Sequence, residues 1–209
     1  MKNLETEFKW NAQTPRAFMC MLRAVKKNCS SGVISASKVL QITDVYLDHA
    51  DGTFEKEQLA FRVRHYGKVW EATFKTRTHL INGKAVRREE TQPLLAVSSL
   101  HQALAKLSKQ KVWKTIPTQE LVPLFTIRNK RRIREILTKH FLAELAFDTC
   151  LIKAGEKQMQ FKEIELELKR GSNAEFEKFV AKITADSKLT YARKSKVKTA
   201  LGLLNGTVQ

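Results

Sequence analysis

Two short segments of the sequence carry carboxylates at every second position. Residues 4–10 read LETEFKW, and a strand places Glu5, Glu7 and Lys9 on one of its sides. Residues 161–168 read FKEIELEL, which aligns three carboxylates about 7 Å apart, because each residue of a strand advances about 3.4 Å. These acids are Glu163, Glu165 and Glu167. Like charges at this spacing repel unless water screens them or cations such as Mg²⁺ or Mn²⁺ bind between them, so the rows are candidate metal ligands.

Basic side chains recur with the same alternation between these acidic rows. Residues 61–64 read FRVR, 71–75 read EATFK and 86–89 read VRRE, so each segment places charged groups on a single strand face. A further cluster of bases spans 128–134. Arginine grips phosphate oxygens in a bidentate fork, whereas carboxylates hold a phosphate only through a metal ion. Acids and bases on one face therefore indicate a metal–polyphosphate complex.

A single strand of this kind has a simpler interpretation as a solvated sheet face. Its cross-strand ion pairs would each contribute under about 1 kcal/mol. Several such strands together favour a closed barrel, which turns the charged rows inward and the apolar rows outward beneath helices. A charged interior is costly unless it serves a ligand. The combined pattern therefore predicts a ligand-binding barrel.

Four segments space their apolar residues as helices do, and the rest of the chain alternates. The predicted helices cover 15–28, 99–110, 174–185 and 195–204. The alternating segments predict strands with one apolar face. The sequence has no internal repeat and no linker-like composition. We therefore predict a single α+β domain over 1–209, dominated by antiparallel strands.

Composition restricts the function classes further. The 38 Lys and Arg residues outnumber the 21 Asp and Glu residues, and the net charge of +17 favours a negatively charged partner. Apolar residues make up 43% of the chain, and no run approaches the roughly 20 that cross a bilayer. The start of the chain lacks a secretory signal pattern, and three scattered cysteines do not suit a disulfide framework. We expect a cytoplasmic protein with no membrane partner.

In chain order, these segments resemble the CYTH domain family, the triphosphate tunnel metalloenzymes. Glu5-Thr-Glu7-Phe-Lys9 matches the ExExK motif that opens these domains, and later segments resemble the family's RxR, single-Lys, RxE and acidic strands. The second half is most similar to bacterial inorganic triphosphatases. Ser195-Lys196 resembles the C-terminal Ser-Lys pair of those enzymes. The resemblance implies an eight-stranded antiparallel β-barrel with a charged interior, a tunnel for a triphosphate and divalent metals, covered by a few helices.

The resemblance also implies a role for each matching residue. The implied metal ligands are Glu5, Glu7, Glu144, Asp148, Glu163, Glu165 and Glu167. The implied substrate-binding residues are Lys9, Arg62, Arg64, Lys75, Arg87, Glu89, Arg131, Arg132 and Lys196, of which Glu89 would orient neighbouring bases. Catalysis is expected of Glu5, Glu7, Lys9 and Glu165. The register of 131–134 stays open, because a slip of one residue reverses which side chains face the tunnel.

The function implied by the resemblance is hydrolysis of inorganic tripolyphosphate, or another triphosphate, with Mg²⁺ or Mn²⁺ and release of orthophosphate. Two alternatives keep the fold: a class IV adenylate cyclase, and a thiamine triphosphatase with Tyr66, Trp70 or Trp113 as an aromatic platform. A third is a non-catalytic module that binds polyphosphate or nucleic acid. The lack of RNP, KH and zinc-finger signatures argues against nucleic acid. The oligomeric state stays open, a homodimer included.

Overall fold

The computed structural model describes residues 4–29, 32–77, 79–109 and 121–207. Strands and helices follow one another along this part of the chain. In chain order they are β1 (Leu4–Asn11), α1 (Pro15–Asn28), β2 (Val33–Ile34), β3 (Lys38–Asp48), α2 (Thr53–Lys56), β4 (Ala60–Tyr66), β5 (Val69–Lys75), β6 (His79–Ile81), β7 (Lys84–Pro93), α3 (Leu100–Leu107), β8 (Val122–Leu137), β9 (Phe141–Ala154), β10 (Lys157–Gly171), α4 (Asn173–Ser187) and α5 (Lys196–Leu204).

Eight of these strands close into an antiparallel barrel. Hydrogen-bonded neighbours follow in the order β1-β10-β9-β8-β3-β4-β5-β7, and β7 pairs in turn with β1. The short strands β2 and β6 pair with β8 and β7 outside this circuit. The predicted α+β class and eight-stranded barrel are confirmed. Because β1 is hydrogen-bonded to both β7 and β10, the first strand joins the two halves of the chain.

Strand register decides which side chains share the barrel interior. Residues directly opposite each other in an antiparallel pair project from the same face of the sheet. Glu5 lies opposite Arg87, and Lys9 lies opposite Glu165. The same alternation continues around the barrel, so Arg62, Lys75 and Arg131 also project inward.

The outward apolar positions carry the helices. Helices α1 and α4 pack on β1, β9 and β10, where Trp10, Ile164 and Phe176 are fully buried. Helix α3 packs on β4 and β5, where Val63 and Leu107 belong to a second cluster. Full burial of a large apolar side chain contributes about 1.5–3 kcal/mol. These two clusters hold the helices against the outside of the barrel wall.

Helix α5 packs differently, against residues that project into the barrel. Its Ala200 and Leu203 contact the inner-face cluster that contains Tyr46, Ile127 and Ile152. This packing brings the first residue of α5, Lys196, to the cavity. None of the helices in the described ranges has both the length and the apolar character that membrane crossing requires.

All four predicted helices are present, with small differences at their ends. Helix α1 covers 15–28 as predicted. The other three begin one residue after a serine whose hydroxyl accepts a backbone N–H hydrogen bond: Ser99, Ser172 and Ser195. The third predicted helix, 174–185, extends from Asn173 to Ser187. Residue 110, the predicted end of α3, lies outside the described residues.

The sequence analysis did not predict strand β3. Its inward positions include Leu40 and Ile42, while Val45 and Leu47 alternate with them on the other face. A strand that is apolar on both faces lacks a two-residue period, so alternation alone does not reveal it. The omission matters for function because β3 brings Asp44 into the barrel.

Candidate metal and triphosphate site

The barrel encloses a cavity of about 950 Å³. All eight barrel strands and α5 contribute side chains to its lining. Carboxylates and bases both face the cavity, and they occur in three groups of ion pairs, centred on β9–β10, on β1–β7 and on β3–β4. A chamber of this composition suits a ligand that contains both cations and anions.

Three buried carboxylates meet on β9 and β10. Asp148, Glu163 and Glu165 each offer an oxygen, and these atoms lie within 4.8 Å of one another. We call these three residues the acidic cluster. Oxygen-only donors of this kind are the ligands that hard divalent cations such as Mg²⁺ and Mn²⁺ prefer. The donor set therefore fits a divalent metal ion.

Two ammonium groups lie inside the acidic cluster. Lys196 Nζ is 2.8 Å from both Asp148 Oδ2 and Glu165 Oε1, and it also binds Glu163. Lys9 Nζ binds Glu165 and lies 3.9 Å from Glu163 Oε1. Burial by itself raises the pKa of Glu165, but the charges of Lys196, Lys9 and Arg131 outweigh it and hold that pKa well below its usual range. Glu165 is therefore ionised and shared by three bases.

Arg131 completes this side of the cavity. Its guanidinium donates to Asp148 as a fork, with Nε–Oδ1 and Nη2–Oδ2 distances of 2.8 and 2.6 Å, and it also binds Glu165. Arg131 stands opposite Asp148 in the β8–β9 ladder, which resolves the register that the sequence left open. A bidentate pair of this kind fixes both side chains.

The prediction that Arg132 binds substrate was wrong. Arg132 stands opposite Phe147 on β9 and Val39 on β3, and its side chain is exposed on the outer wall of the barrel. Neighbouring residues of a strand project to opposite faces, so Arg131 and Arg132 cannot both enter the cavity.

A second group of ion pairs lies on β1, β5 and β7. The Arg87 guanidinium is 2.7 Å from Glu5 Oε2, 2.8 Å from Glu7 Oε1 and 2.6 Å from Glu89 Oε1. Glu89 also binds Lys75. The contacts of Arg87 with Glu5 Oε2 and Glu7 Oε1 lack hydrogen-bond geometry, so neither buried oxygen accepts a hydrogen bond. These two oxygens are therefore further candidate metal ligands.

Burial and crowding shift the ionisation of this group. Burial, with the charge of Glu7, raises the pKa of Glu5 to about 8. Burial, together with Arg87 and Arg62, lowers the pKa of Lys75 to about 8. Burial also acts to raise the pKa of Glu7, but Lys9 and Arg87 outweigh it and the pKa is lowered. Glu7 is thus the more readily ionised of the two β1 acids.

The third group, on β3 and β4, contains an acid that the sequence analysis missed. Asp44 accepts from Arg64, with Nε–Oδ1 and Nη2–Oδ2 distances of 2.6 and 2.9 Å, and lies 3.6 Å from Arg62 Nη1. Arg62 also donates to Thr73. Burial would raise the pKa of Asp44, but Arg62 and Arg64 outweigh it and bring that pKa to about 2. Asp44 thereby holds both arginines in one orientation.

Replacing Asp44 by Asn should make the protein less stable in a pH-dependent way. The folded-state pKa of Asp44 lies below its ordinary value, so its ionised form stabilises the fold at neutral pH and loses that effect as the pH falls towards 2. We expect the free energy of unfolding of the wild type to exceed that of Asp44→Asn by about 2 kcal/mol at pH 7. This difference should shrink below about pH 4. Urea unfolding of both proteins from pH 7 to pH 3 measures it. A difference that is constant over this range would contradict the role of Asp44.

The remaining predicted residues, Glu144 and Glu167, stand opposite each other on β9 and β10. Glu144 and Glu167 line the cavity, with Glu144 Oε1 3.7 Å from Arg131 and Glu167 Oε2 2.7 Å from Lys169. Burial raises the pKa of Glu167. Neither belongs to the acidic cluster. All predicted site residues except Arg132 thus have their side chains in the cavity lining or in its ion pairs.

Of the three predicted aromatic platforms, only Tyr66 lines the cavity in the described part of the chain. Trp70 lies on the outer face of β5, where it stacks on His65 with ring centres 4.7 Å apart. Trp113 lies outside the described residues.

Comparison with known proteins identifies the family. A barrel whose closed wall surrounds opposed carboxylates and bases defines a tunnel protein of the kind that the motifs predicted. The CYTH domain profile matches residues 4–201, and the chain belongs to the CYTH domain family.

A curated relative is the inorganic triphosphatase of Haemophilus influenzae, which is 27% identical over 170 residues. The match covers 81% of this chain and 47% of that protein, so the chain spans about half the length of its relative.

Two solved structures share the fold. A putative adenylyl cyclase from Hippeastrum, reported to have a dominant triphosphatase activity, has a TM-score of 0.68 at 16% identity, covering 98% of this chain and 97% of that one. A Mimivirus capping enzyme triphosphatase has a TM-score of 0.55 at 15% identity, covering 88% and 90%.

Proposed function

We propose that the protein is a divalent-metal-dependent triphosphatase that hydrolyses inorganic tripolyphosphate, or a related triphosphate, inside the barrel. The observation that carries the proposal is the opposition of the acidic cluster and the bases Arg62, Arg64 and Lys75 across one cavity. The activity named for the Haemophilus influenzae relative supports the same reaction. Bases alone would suffice to hold a polyanion, so the buried acids favour a metal-assisted reaction over binding alone.

The chain's own residues supply positioning and charge. Arg62, Arg64 and Lys75 approach the cavity from the β4–β5 side and would hold non-bridging phosphate oxygens. Arg131 and Lys196 would neutralise charge on the phosphate nearest the acidic cluster. Phosphoryl transfer depends mainly on positioning and electrostatic stabilisation, and an arrangement fixed by ion pairs needs little reorganisation. The fold thus provides most of what this reaction requires.

Carboxylates of β1, β9 and β10 complete the proposed reaction centre. The acidic cluster, with Glu5 and Glu7, would hold Mg²⁺ or Mn²⁺, while Glu144 and Glu167 are further candidates outside that cluster. When bound, the cation supplies Lewis-acid polarisation of phosphoryl oxygens. A carboxylate among Glu5, Glu7 and Glu165 would orient the attacking water, and Lys9 would keep these acids together through its contacts with Glu7 and Glu165.

Further assignments concern the domain organisation, the cellular location and the alternative reactions. We infer one domain over 1–209, supported by the pairing of β1 with both β7 and β10. A cytoplasmic setting is supported by the three cysteines, which are free thiols. The alternatives remain a class IV adenylate cyclase and a thiamine triphosphatase, for which Tyr66 at the cavity lining is the relevant feature.

A substrate panel tests the proposal. We expect orthophosphate release from tripolyphosphate with Mg²⁺ or Mn²⁺, slower release from ATP and thiamine triphosphate, and little from pyrophosphate. Excess EDTA should abolish release, and added metal should restore it. Colorimetric phosphate measurement and chromatography of the nucleotide products distinguish the outcomes. Cyclic AMP as the main product from ATP would favour the cyclase, and no turnover of any substrate would contradict the proposal.

A further inference from the structure

Charge is segregated between the two faces of four consecutive barrel strands. On β3, β8, β9 and β10 the acids that face the cavity include Asp44, Glu144, Asp148 and Glu165. The outward positions of the same strands, all within the described residues, hold no Asp or Glu. The outer face of these four strands is therefore positively charged.

Five bases form a continuous patch on this outer surface. Arg128, Lys130 and Arg132 occupy alternate positions of β8, and all three are exposed. Lys153 on β9 and Lys162 on β10 extend the patch across the neighbouring strands. We call these five residues the basic wall. Arg128, Lys130 and Arg132 form one row along β8, in which neighbours lie about 7 Å apart. Lys153 lies one strand, about 4.8 Å, to the side of this row, and Lys162 lies two strands, about 10 Å, to the same side.

The bases of this wall have no protein partners. Within the described ranges, none of the five makes a salt bridge or a side-chain hydrogen bond. Their neighbours on the same face are neutral. Gln41, Thr149 and Gln160 can form hydrogen bonds, whereas Val39, Phe147 and Leu151 are apolar. A surface with cations and neutral hydrogen-bonding groups, but no acids, is complementary to a sugar–phosphate backbone.

We propose that the basic wall binds the backbone of double-stranded RNA without reading its sequence. The wall is the outer surface of a barrel, and all five of its bases lie on strands. A-form RNA presents a wide, shallow minor groove lined by 2′-hydroxyls, which such a surface can approach.

The composition of the wall also separates this ligand from others. Single strands are held by aromatic side chains on which bases stack. Among the described residues, the aromatic ring that stands opposite one of these bases is Phe147, and it packs against Phe18 of α1 with ring centres 4.9 Å apart. The site lies outside the cavity, so the proposal stands or falls independently of the triphosphatase reaction.

Binding of a labelled 20-base-pair RNA duplex with 5′-hydroxyl ends, followed by fluorescence anisotropy, tests the proposal. Such ends carry no triphosphate for the cavity. The test variant is Arg128→Gln/Lys130→Gln/Arg132→Gln. The control Arg16→Gln/Arg23→Gln/Lys26→Gln removes the same charges from exposed positions of α1. Circular dichroism checks that both variants fold.

We expect wild-type affinity to fall steeply with salt, and the wall variant to bind more than about tenfold more weakly at 100 mM salt. The slope of log affinity against log salt concentration should be smaller in magnitude by about 2.7 for this variant, because each of three lost phosphate contacts contributes about 0.9. The affinity of the control should stay within about twofold of that of the wild type. Equal weakening of both variants would overturn the proposal. So would equal affinity for single-stranded RNA, a DNA duplex or long-chain polyphosphate.

Discussion

Replacing Glu165 by Gln is expected to reduce phosphate release from tripolyphosphate by about a thousandfold, the upper end of the range for removing one preorganised electrostatic contact from an active site. Glu165 is shared by Lys9, Arg131 and Lys196 and belongs to the acidic cluster. Glutamine keeps the shape of the side chain but places an NH₂ group, which cannot bind a cation, where an oxygen was. We therefore expect weaker metal binding and a less fixed orientation of the three bases.

Glu135→Gln is the matched control for this experiment. Glu135 has the same inward parity on β8 and stands opposite Glu144, but it is exposed. We expect it to retain nearly wild-type turnover. Steady-state phosphate release at saturating Mg²⁺ or Mn²⁺, with thermal unfolding as a check on folding, separates the two variants. Wild-type turnover by a folded Glu165→Gln protein would remove Glu165 from the reaction centre.

Replacing Asp148 by Ala is expected to lower the free energy of unfolding by about 3–5 kcal/mol, the size associated with breaking a buried ion pair. Asp148 is fully buried, forms the fork with Arg131 and lies 2.8 Å from Lys196 Nζ. Its loss would leave both cations less compensated in the interior. Burial raises the pKa of Asp148, but Arg131 and Lys196 outweigh this effect and lower it, so its charge is present at neutral pH.

Asp186→Ala provides the comparison for stability. Asp186 accepts from Lys27 at 2.8 Å on the protein surface, where water screens the pair. Its loss should therefore change stability far less. Urea unfolding of both variants at pH 7, without added metal, measures the two effects. Equal losses would show that the buried pairs contribute no more than surface ones.

The barrel and most of its lining could be predicted because charge and hydrophobicity alternate in the same strands. In the segment around Glu163 and Glu165, alternation alone identifies the inward face, whichever strands lie beside it. Helix positions were predictable for a similar reason, since Ser172 and the residues after it carry both a cap and a periodic apolar face. Local pattern and tertiary structure agree in these elements.

The errors arose where tertiary pairing decides the outcome. In the run from Arg131 to Arg134, bases occupy both parities, so only pairing with β9 shows that Arg131 enters the cavity and Arg132 does not. Asp44 was missed because β3 is apolar on both faces and shows no strand period. Its partners, Arg62 and Arg64, were predicted, but only the β3–β4 register brings the acid between them.

The central claim is that the opposed acids and bases of the barrel interior bind a divalent cation and a triphosphate together. Anomalous diffraction from crystals soaked with Mn²⁺ and tripolyphosphate tests this claim most directly. We expect a manganese peak within coordinating distance of Glu165 and at least one further carboxylate, Asp148 or Glu163, with phosphate density extending towards Arg62 and Arg64. Manganese bound only on the outer surface, with no phosphate in the cavity, would contradict it.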